Sequence, residues 1–169
     1  SFDGFLEEAR IWEKLSKKKV PGIVQLYAYG TKPLPWMAIE FMEGGSLEKR
    51  MDGLTLEESL SIADEILIAL HNAHNLGVIH RDIKPANIML ASDGAPKLTD
   101  WGLGKVLLDL DGAATTTFKG TVRYSAPEQY DPELESDWRT DIFQTGAVLY
   151  HMLAKRPPVP DDLIKAMGM

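Results

Sequence analysis

Three side chains suited to phosphate chemistry fall within one short stretch. They are Asp82, Lys84 and Asn87, in the run His80-Arg81-Asp82-Ile83-Lys84-Pro85-Ala86-Asn87. Phosphoryl transfer asks for a carboxylate beside the acceptor hydroxyl, oxygen ligands for a divalent cation, positive charge on the phosphates, and in-line positioning. Asp82 and Asn87 offer oxygens and Lys84 the charge. Asp100, which opens Asp100-Trp101-Gly102 after a short apolar segment, adds a second carboxylate. A loop flanked by short strands can aim Asp82, Lys84 and Asn87 into one cleft.

The surrounding pattern predicts the elements that position this loop. Phe5, Leu6, Ala9, Ile11, Trp12 and Leu15 follow helical spacing, and Lys17-Lys18-Lys19 suits the end of that helix. Val20-Pro21-Gly22 breaks it. Strands are expected over 23–29 and 36–42, joined by a turn through Thr31 to Pro35, with Gly44-Gly45 as a hinge-like breaker. Thr55-Leu56-Glu57-Glu58 reads as a capping box. The helix it opens is apolar at Leu56, Leu60, Ala63, Ile66, Leu67, Leu70 and Ala73, stops at Gly77, and is expected to be buried on more than one side. Short strands follow at Val78-Ile79, Ile88 to Leu90 and Pro96 to Thr99, with a turn at Ser92-Asp93-Gly94. The polar stretch 109–117 reads as a loop, and Thr140 to Leu153 as a helix ended by Arg156-Pro157-Pro158.

Composition narrows the class. The chain has 169 residues, 44% hydrophobic and 25% charged, as expected for one globular domain. Its net charge of −7 argues against a nucleic-acid binder. The absence of cysteine excludes disulfides and thiolate zinc sites and fits a reducing, cytoplasmic setting. No apolar run approaches the ~20 residues of a membrane span. His71 and His74 stand at helical spacing, but no third metal ligand is evident beside them.

The run His80 to Asn87, then Asp100-Trp101-Gly102, then Ala126-Pro127-Glu128, resembles the catalytic-loop, metal-loop and activation-segment-end motifs of eukaryotic-type serine/threonine protein kinases, in the right order. The resemblance covers essentially the whole chain. It implies an α+β, protein-kinase-like fold: a partial N-lobe of the αC helix and two strands, plus an incomplete, mainly helical C-lobe. Residues 1–169 then form one incomplete domain, with 1–42 the N-lobe remnant and hinge and 43–169 the partial C-lobe. The implied cofactors are ATP and Mg²⁺, and the implied partners are proteins presenting serine or threonine.

Position by position, the resemblance makes Asp82 the base for the acceptor hydroxyl and Lys84 the contact to the γ-phosphate. Asn87 and Asp100 become the Mg²⁺ ligands. Glu8 matches the αC glutamate that pairs with a phosphate-anchoring lysine. Glu40 and Met42 match the hinge positions that meet adenine, with Ile39 as gatekeeper and Met89 beneath the ring. Leu26, Trp12, His80 and Trp101 match the side chains stacked between the lobes, and Asp141 the aspartate that holds the catalytic loop. Lys84 and Thr121 carry the serine/threonine pattern. Arg81 marks regulation by phosphorylation, with Thr117 the best-placed acceptor, Thr115 and Thr116 alternates, and Arg81 and Lys105 the expected partners of the phosphate. The compact activation segment resembles prokaryotic members of the family.

Departures from the family pattern set further expectations. No Gly-x-Gly-x-x-Gly occurs in the sequence, and no lysine precedes Glu8. The arginine that normally pairs with Glu128 is missing too. A truncated kinase domain follows, inactive as an isolated chain, with exposed apolar surface on its last helix and a tendency to self-associate. A pseudokinase or regulatory binding module is the alternative reading. Ser46, Ala86 and His151 stand where arginine-directed kinases often carry acids, and Arg123 where they can carry glutamate, so acidic or neutral peptides are as well suited as basic ones.

Overall fold

The computed structural model describes residues 2–101, 122–131 and 133–160. Its first helix, α1 (Phe2–Lys17), turns Ala9, Trp12 and Leu15 into the core and ties its exposed side with a Glu13–Lys17 ion pair at 3.0 Å. Two antiparallel strands follow, β1 (Leu26–Gly30) and β2 (Trp36–Ile39), pairing Leu26 with Ile39 and Gly30 with Trp36 around an irregularity between Leu26 and Ala28. Both are shorter than expected. Ile23 instead bridges to Leu98, and the Val24 N–H bonds the Leu98 carbonyl at 2.9 Å. Backbone groups serving one partner cannot also extend the hairpin.

Gly44-Gly45 is more than a breaker. The Gly44 N–H bonds Leu90 O at 2.9 Å, and a Cβ on Gly44 would lie 2.7 Å from that same oxygen. Only glycine permits this approach. It seats β3 (Gly45–Ser46) against β4 (Ile88–Leu90), which pairs in turn with β5 (Pro96–Leu98), all antiparallel. Two 3₁₀ turns, Leu47–Lys49 and Met51–Gly53, lead to the next helix.

That helix, α2 (Leu56–His74), opens as the sequence demands. Thr55 Oγ1 accepts the Glu58 N–H at 3.2 Å and Glu58 Oε2 accepts the Thr55 N–H at 2.8 Å. The expectation of burial on more than one side fails. Ile62, Ala63, Ile66, Ala69, Leu70 and Ala73 are buried, whereas Leu56, Leu60, Leu67 and Ile68 are exposed. Leu and Ile recur all round the helix, but only one stripe meets β5 and the last helix. Val78-Ile79 forms no strand, because the Val78 N–H turns back to Ala73 O at 3.1 Å.

The last helix, α3 (Trp138–Ala154), begins earlier than its apolar period indicates, because Asp137 caps it by accepting the Arg139 N–H at 2.8 Å. Lys155 closes it at φ 56°, and its Nζ donates to Met51 O and Leu54 O at 2.9 and 2.8 Å. Ala147, Val148 and Met152 pack inward; Ile142, Phe143, Tyr150 and Leu153 lie exposed. One core joins all these elements around Trp12, Ile66, Leu70, Ile83, Leu98 and Trp101. The fold is mixed, with few strands and three helices among the described residues.

Candidate active site

The loop from His80 to Asn87 crosses the molecule between α2 and β4, and its backbone is held from α3. The fully buried Asp141 carboxylate accepts the His80 N–H at 2.9 Å and the Arg81 N–H at 2.7 Å, with His74 Nε2 a further 2.7 Å contact. Arg81 takes φ 68°, a conformation that costs a residue with a side chain about 1–3 kcal/mol and persists only where its surroundings enforce it. The 3₁₀ turn Pro85–Asn87 then brings Asn87 back toward Asp82.

Asp82 is 3% exposed. Its Oδ2 receives Lys84 Nζ at 2.8 Å and Asn87 Nδ2 at 3.0 Å, while Asn87 Nδ2 also bonds the Asp82 carbonyl at 2.9 Å. Its Oδ1 is buried and has no hydrogen-bond partner among the described residues. A buried carboxylate oxygen left open is costly unless something comes to it. Asp82 therefore presents one occupied oxygen and one acceptor in waiting.

Asp100 follows β5 at φ 61°. Burial pushes its carboxyl up, and the Asp82 charge adds to that while Lys84 opposes it. Glu8, 5% exposed on α1, is pushed up to about 7 by burial and then by repulsion from Asp100. Carboxylates driven toward their neutral form by burial and mutual repulsion are a set that a cation would suit. With its Nδ2 spent on Asp82, Asn87 keeps its amide oxygen for such an ion.

Behind this set, His80 is locked. Its Nε2–H donates to Thr99 O at 2.9 Å, its Nδ1 accepts the Asp82 N–H at 3.3 Å, and its ring lies 4.6 Å from that of Trp101. Trp101, Trp12 and Leu26 are buried with it, and Trp12 Nε1 donates to Val24 O at 2.7 Å. In the strand pair, Ile39 ends β2 and is 41% exposed. Burial alone would raise the Glu40 carboxyl, but Lys97 Nζ at 2.5 Å and the Gln25 N–H at 3.1 Å outweigh it and hold it below its usual range. Met42 is buried, its carbonyl accepting the Gly45 N–H at 3.1 Å, and Met89 stands half-buried in β4 opposite Lys97.

Thus Glu8, Asp82, Lys84, Asn87 and Asp100 are brought together, and Ile39, Glu40, Met42 and Met89 lie on adjoining strands and linker. Lys105, Thr115, Thr116, Thr117 and Thr121 lie outside the described residues. The Arg81 guanidinium reaches Ser136 O only at 3.4 Å, and its buried Nε has no partner among the described residues. Glu128, expected to need a partner, has one in the buried Thr140 hydroxyl at 2.5 Å.

Sequence reasoning missed Lys97, His74, Thr140, Gln129 and Gln144 as parts of this region. Gln144 carried the clearest signal. It is a long polar side chain one turn after Asp141, on a face that is otherwise buried.

The protein kinase domain family model matches residues 3–167, and the chain belongs to that family. It is 36% identical over 152 residues to a probable serine/threonine-protein kinase of Streptomyces coelicolor, covering 84% of this chain and 22% of that protein. It is equally similar, 36% over 152 residues, to the serine/threonine-protein kinase PknB of Mycolicibacterium smegmatis, covering 84% of this chain and 24% of that one. The serine/threonine-protein kinase RUNKEL of Arabidopsis thaliana matches at 36% over 157 residues, 90% of this chain and 11% of its own length. The chain thus spans a quarter or less of these relatives.

Proposed function

We propose that this chain carries the catalytic loop of a serine/threonine protein kinase, with Asp82 as base. The observation that carries the reading is the buried Oδ1 of Asp82, without a hydrogen-bond partner among the described residues, beside an Oδ2 already held by Lys84 and Asn87. A serine or threonine hydroxyl at Oδ1 gives up its proton there as its oxygen bonds the γ-phosphorus of ATP. The bond from that phosphorus to the β-bridging oxygen breaks and ADP leaves. Lys84, 2.8 Å from Asp82 Oδ2, bridges Asp82 to the transferred group and balances phosphate charge. Asn87 and Asp100 would hold Mg²⁺, which would supply positive charge for the phosphate oxygens. Ile39, Glu40, Met42 and Met89 form the adenine side, residues 1–42 belong to the N-lobe and hinge, and 43–169 to the C-lobe. Thr121 completes the hydroxyl-selective loop.

Regulation is read from Arg81. Its Nε, without a partner among the described residues, suits a phosphate on Thr117, or on Thr115 or Thr116, with Lys105 as second cation. We place the domain in the cytoplasm from its cysteine-free sequence; no helix among the described residues is long and apolar enough to cross a membrane. The 169 residues hold no Gly-x-Gly-x-x-Gly loop to cover the phosphates, so by themselves they bind nucleotide weakly and transfer phosphate negligibly. Their exposed α3 face favours self-association.

The test incubates the full-length protein with γ-labelled ATP, Mg²⁺ and a degenerate peptide library, followed by phosphoamino-acid analysis. Phosphoserine and phosphothreonine are expected. Nucleotide binding without transfer to any hydroxyl points instead to a pseudokinase that uses the fold for binding.

A further inference from the structure

Asp141 satisfies only the N–H groups that precede Asp82. The two peptide units flanking Asp82 carry four polar groups: Arg81 C=O, Asp82 N–H, Asp82 C=O and Ile83 N–H. The middle two are served locally, by His80 Nδ1 at 3.3 Å and Asn87 Nδ2 at 2.9 Å. The outer two are served by glutamines from other elements. Gln144 Oε1, on α3, accepts the Ile83 N–H at 2.9 Å. Gln129 Nε2, in the 3₁₀ turn Pro127–Tyr130, donates to Arg81 O at 2.8 Å, and Gln144 Nε2 donates to the same oxygen at 3.2 Å. The two amides also meet each other, Gln144 Nε2 donating to Gln129 Oε1 at 2.8 Å, and that oxygen accepts the Ala126 N–H at 2.9 Å as well.

This set is self-consistent in one sense only. Turning the Gln144 amide over would set its NH₂ against the Ile83 N–H, and turning Gln129 over would set NH₂ against both Gln144 and Ala126. Gln144 is fully buried, so water cannot take over a lost bond. The strained φ of Arg81 sits at the centre, where such over-determination is needed.

We propose that Gln144 and Gln129 are positioning residues, forming a two-amide relay. The relay fixes the peptide units on both sides of Asp82 and makes the aim of its carboxylate depend on where the 126–130 segment lies. When Ala126–Tyr130 is seated, Gln129 is held, Gln144 is held by Gln129, and Ile83 and Arg81 are pinned. When that segment moves, Arg81 O loses a donor and Gln144 loses the partner that fixes its amide. The proposal deepens the reading of Asp82 as base and rests on it only for the consequence to catalysis.

The decisive experiment is residue-level hydrogen–deuterium exchange of the full-length protein with Gln129→Ala and Gln144→Ala, alongside kinetics of the same variants. Gln129 makes no bond to Ile83 itself and acts on it through Gln144 and through the Arg81 carbonyl. Gln129→Ala is expected to raise exchange at the Ile83 N–H by about tenfold, the effect of one lost hydrogen bond. Exchange within α2, at Ile66, stays within about threefold. An unchanged Ile83, or a rise shared equally by Ile66, overturns the relay. In kinetics each single variant lowers kcat about tenfold with KM for ATP unchanged, and the double variant falls little further. Fully additive losses contradict coupling through one relay. If the protein transfers no phosphate at all, the exchange result still decides the relay, while the assignment of Asp82 fails separately.

Discussion

Asp141 and Arg81 are joined across the molecule by a 2.7 Å hydrogen bond from the Arg81 N–H to a fully buried carboxylate. The same carboxylate holds His80 N and faces His74 Nε2. Three donors converge on one acceptor group, so replacing an oxygen by NH₂ must set donor against donor. Asp141→Asn is expected to cost about 3 kcal/mol, lowering Tm by about 6–12 °C in a chain of this size. Calorimetry showing Tm within about 2 °C of the parent would remove Asp141 as the anchor of the loop.

Thr55 offers a smaller and cleaner effect. Its hydroxyl and the Glu58 carboxylate satisfy each other's backbone N–H groups at an exposed helix start. Thr55→Ala should lose about 1 kcal/mol, a Tm drop of about 2–4 °C, and Thr55→Ser should restore most of it. Equal losses in both variants would mean that the methyl group, not the cap, is responsible.

These two cases show what was legible in the sequence. The capping box, the α1 period and the ordered motifs around Asp82 are local patterns, and each led to the observed element. The exposed side of α2 was not legible, because Leu60 and Ile68 have the same chemistry as Ile66 and only the placement of neighbours separates them. β3 was hidden because two glycines read as a break until Leu90 is set beside them. Gln129 and Gln144 carry no motif; their role exists only once the 3₁₀ turn and α3 enclose the loop. Asp82, Lys84 and Asn87, which the structure brings together, were named from one run, whereas Lys97, His74, Thr140, Gln129 and Gln144 were not.

Glu8 gives a prediction in pH. Its carboxyl stands at about 7 in the fold against an ordinary 4.5. The folded protein therefore holds this proton more tightly than the unfolded chain does. The neutral form is the stabilising one, fully present below pH 4.5, and its benefit is lost as pH rises through 7. Glu8→Gln abolishes that loss. In Mg²⁺-free and nucleotide-free buffer the variant should be more stable than the parent at pH 8 by roughly 1–2 kcal/mol, allowing for screening, with the gap closing at acid pH. Denaturant midpoints measured across that range decide it, and a gap that does not vary with pH contradicts the burial of an ionisable Glu8 beside Asp100.

Glu40 and Lys97 tie the end of β2 to β5 by a half-exposed ion pair at 2.5 Å. A double-mutant cycle of Glu40→Gln and Lys97→Met should give a coupling of about 0.5–1 kcal/mol, weakened by salt. A coupling of zero at low ionic strength would mean that the Gln25 N–H alone holds Glu40 in place.

The central claim is that Asp82 accepts the proton of a serine or threonine hydroxyl. The most direct measurement is the single-turnover rate of phosphate transfer by the full-length protein and its Asp82→Asn variant at saturating ATP and Mg²⁺, with nucleotide affinity measured in parallel. The account predicts a fall of about 10²–10⁴ in rate with affinity within about twofold. Transfer at the parent rate by the variant, or transfer to tyrosine alone, would contradict it.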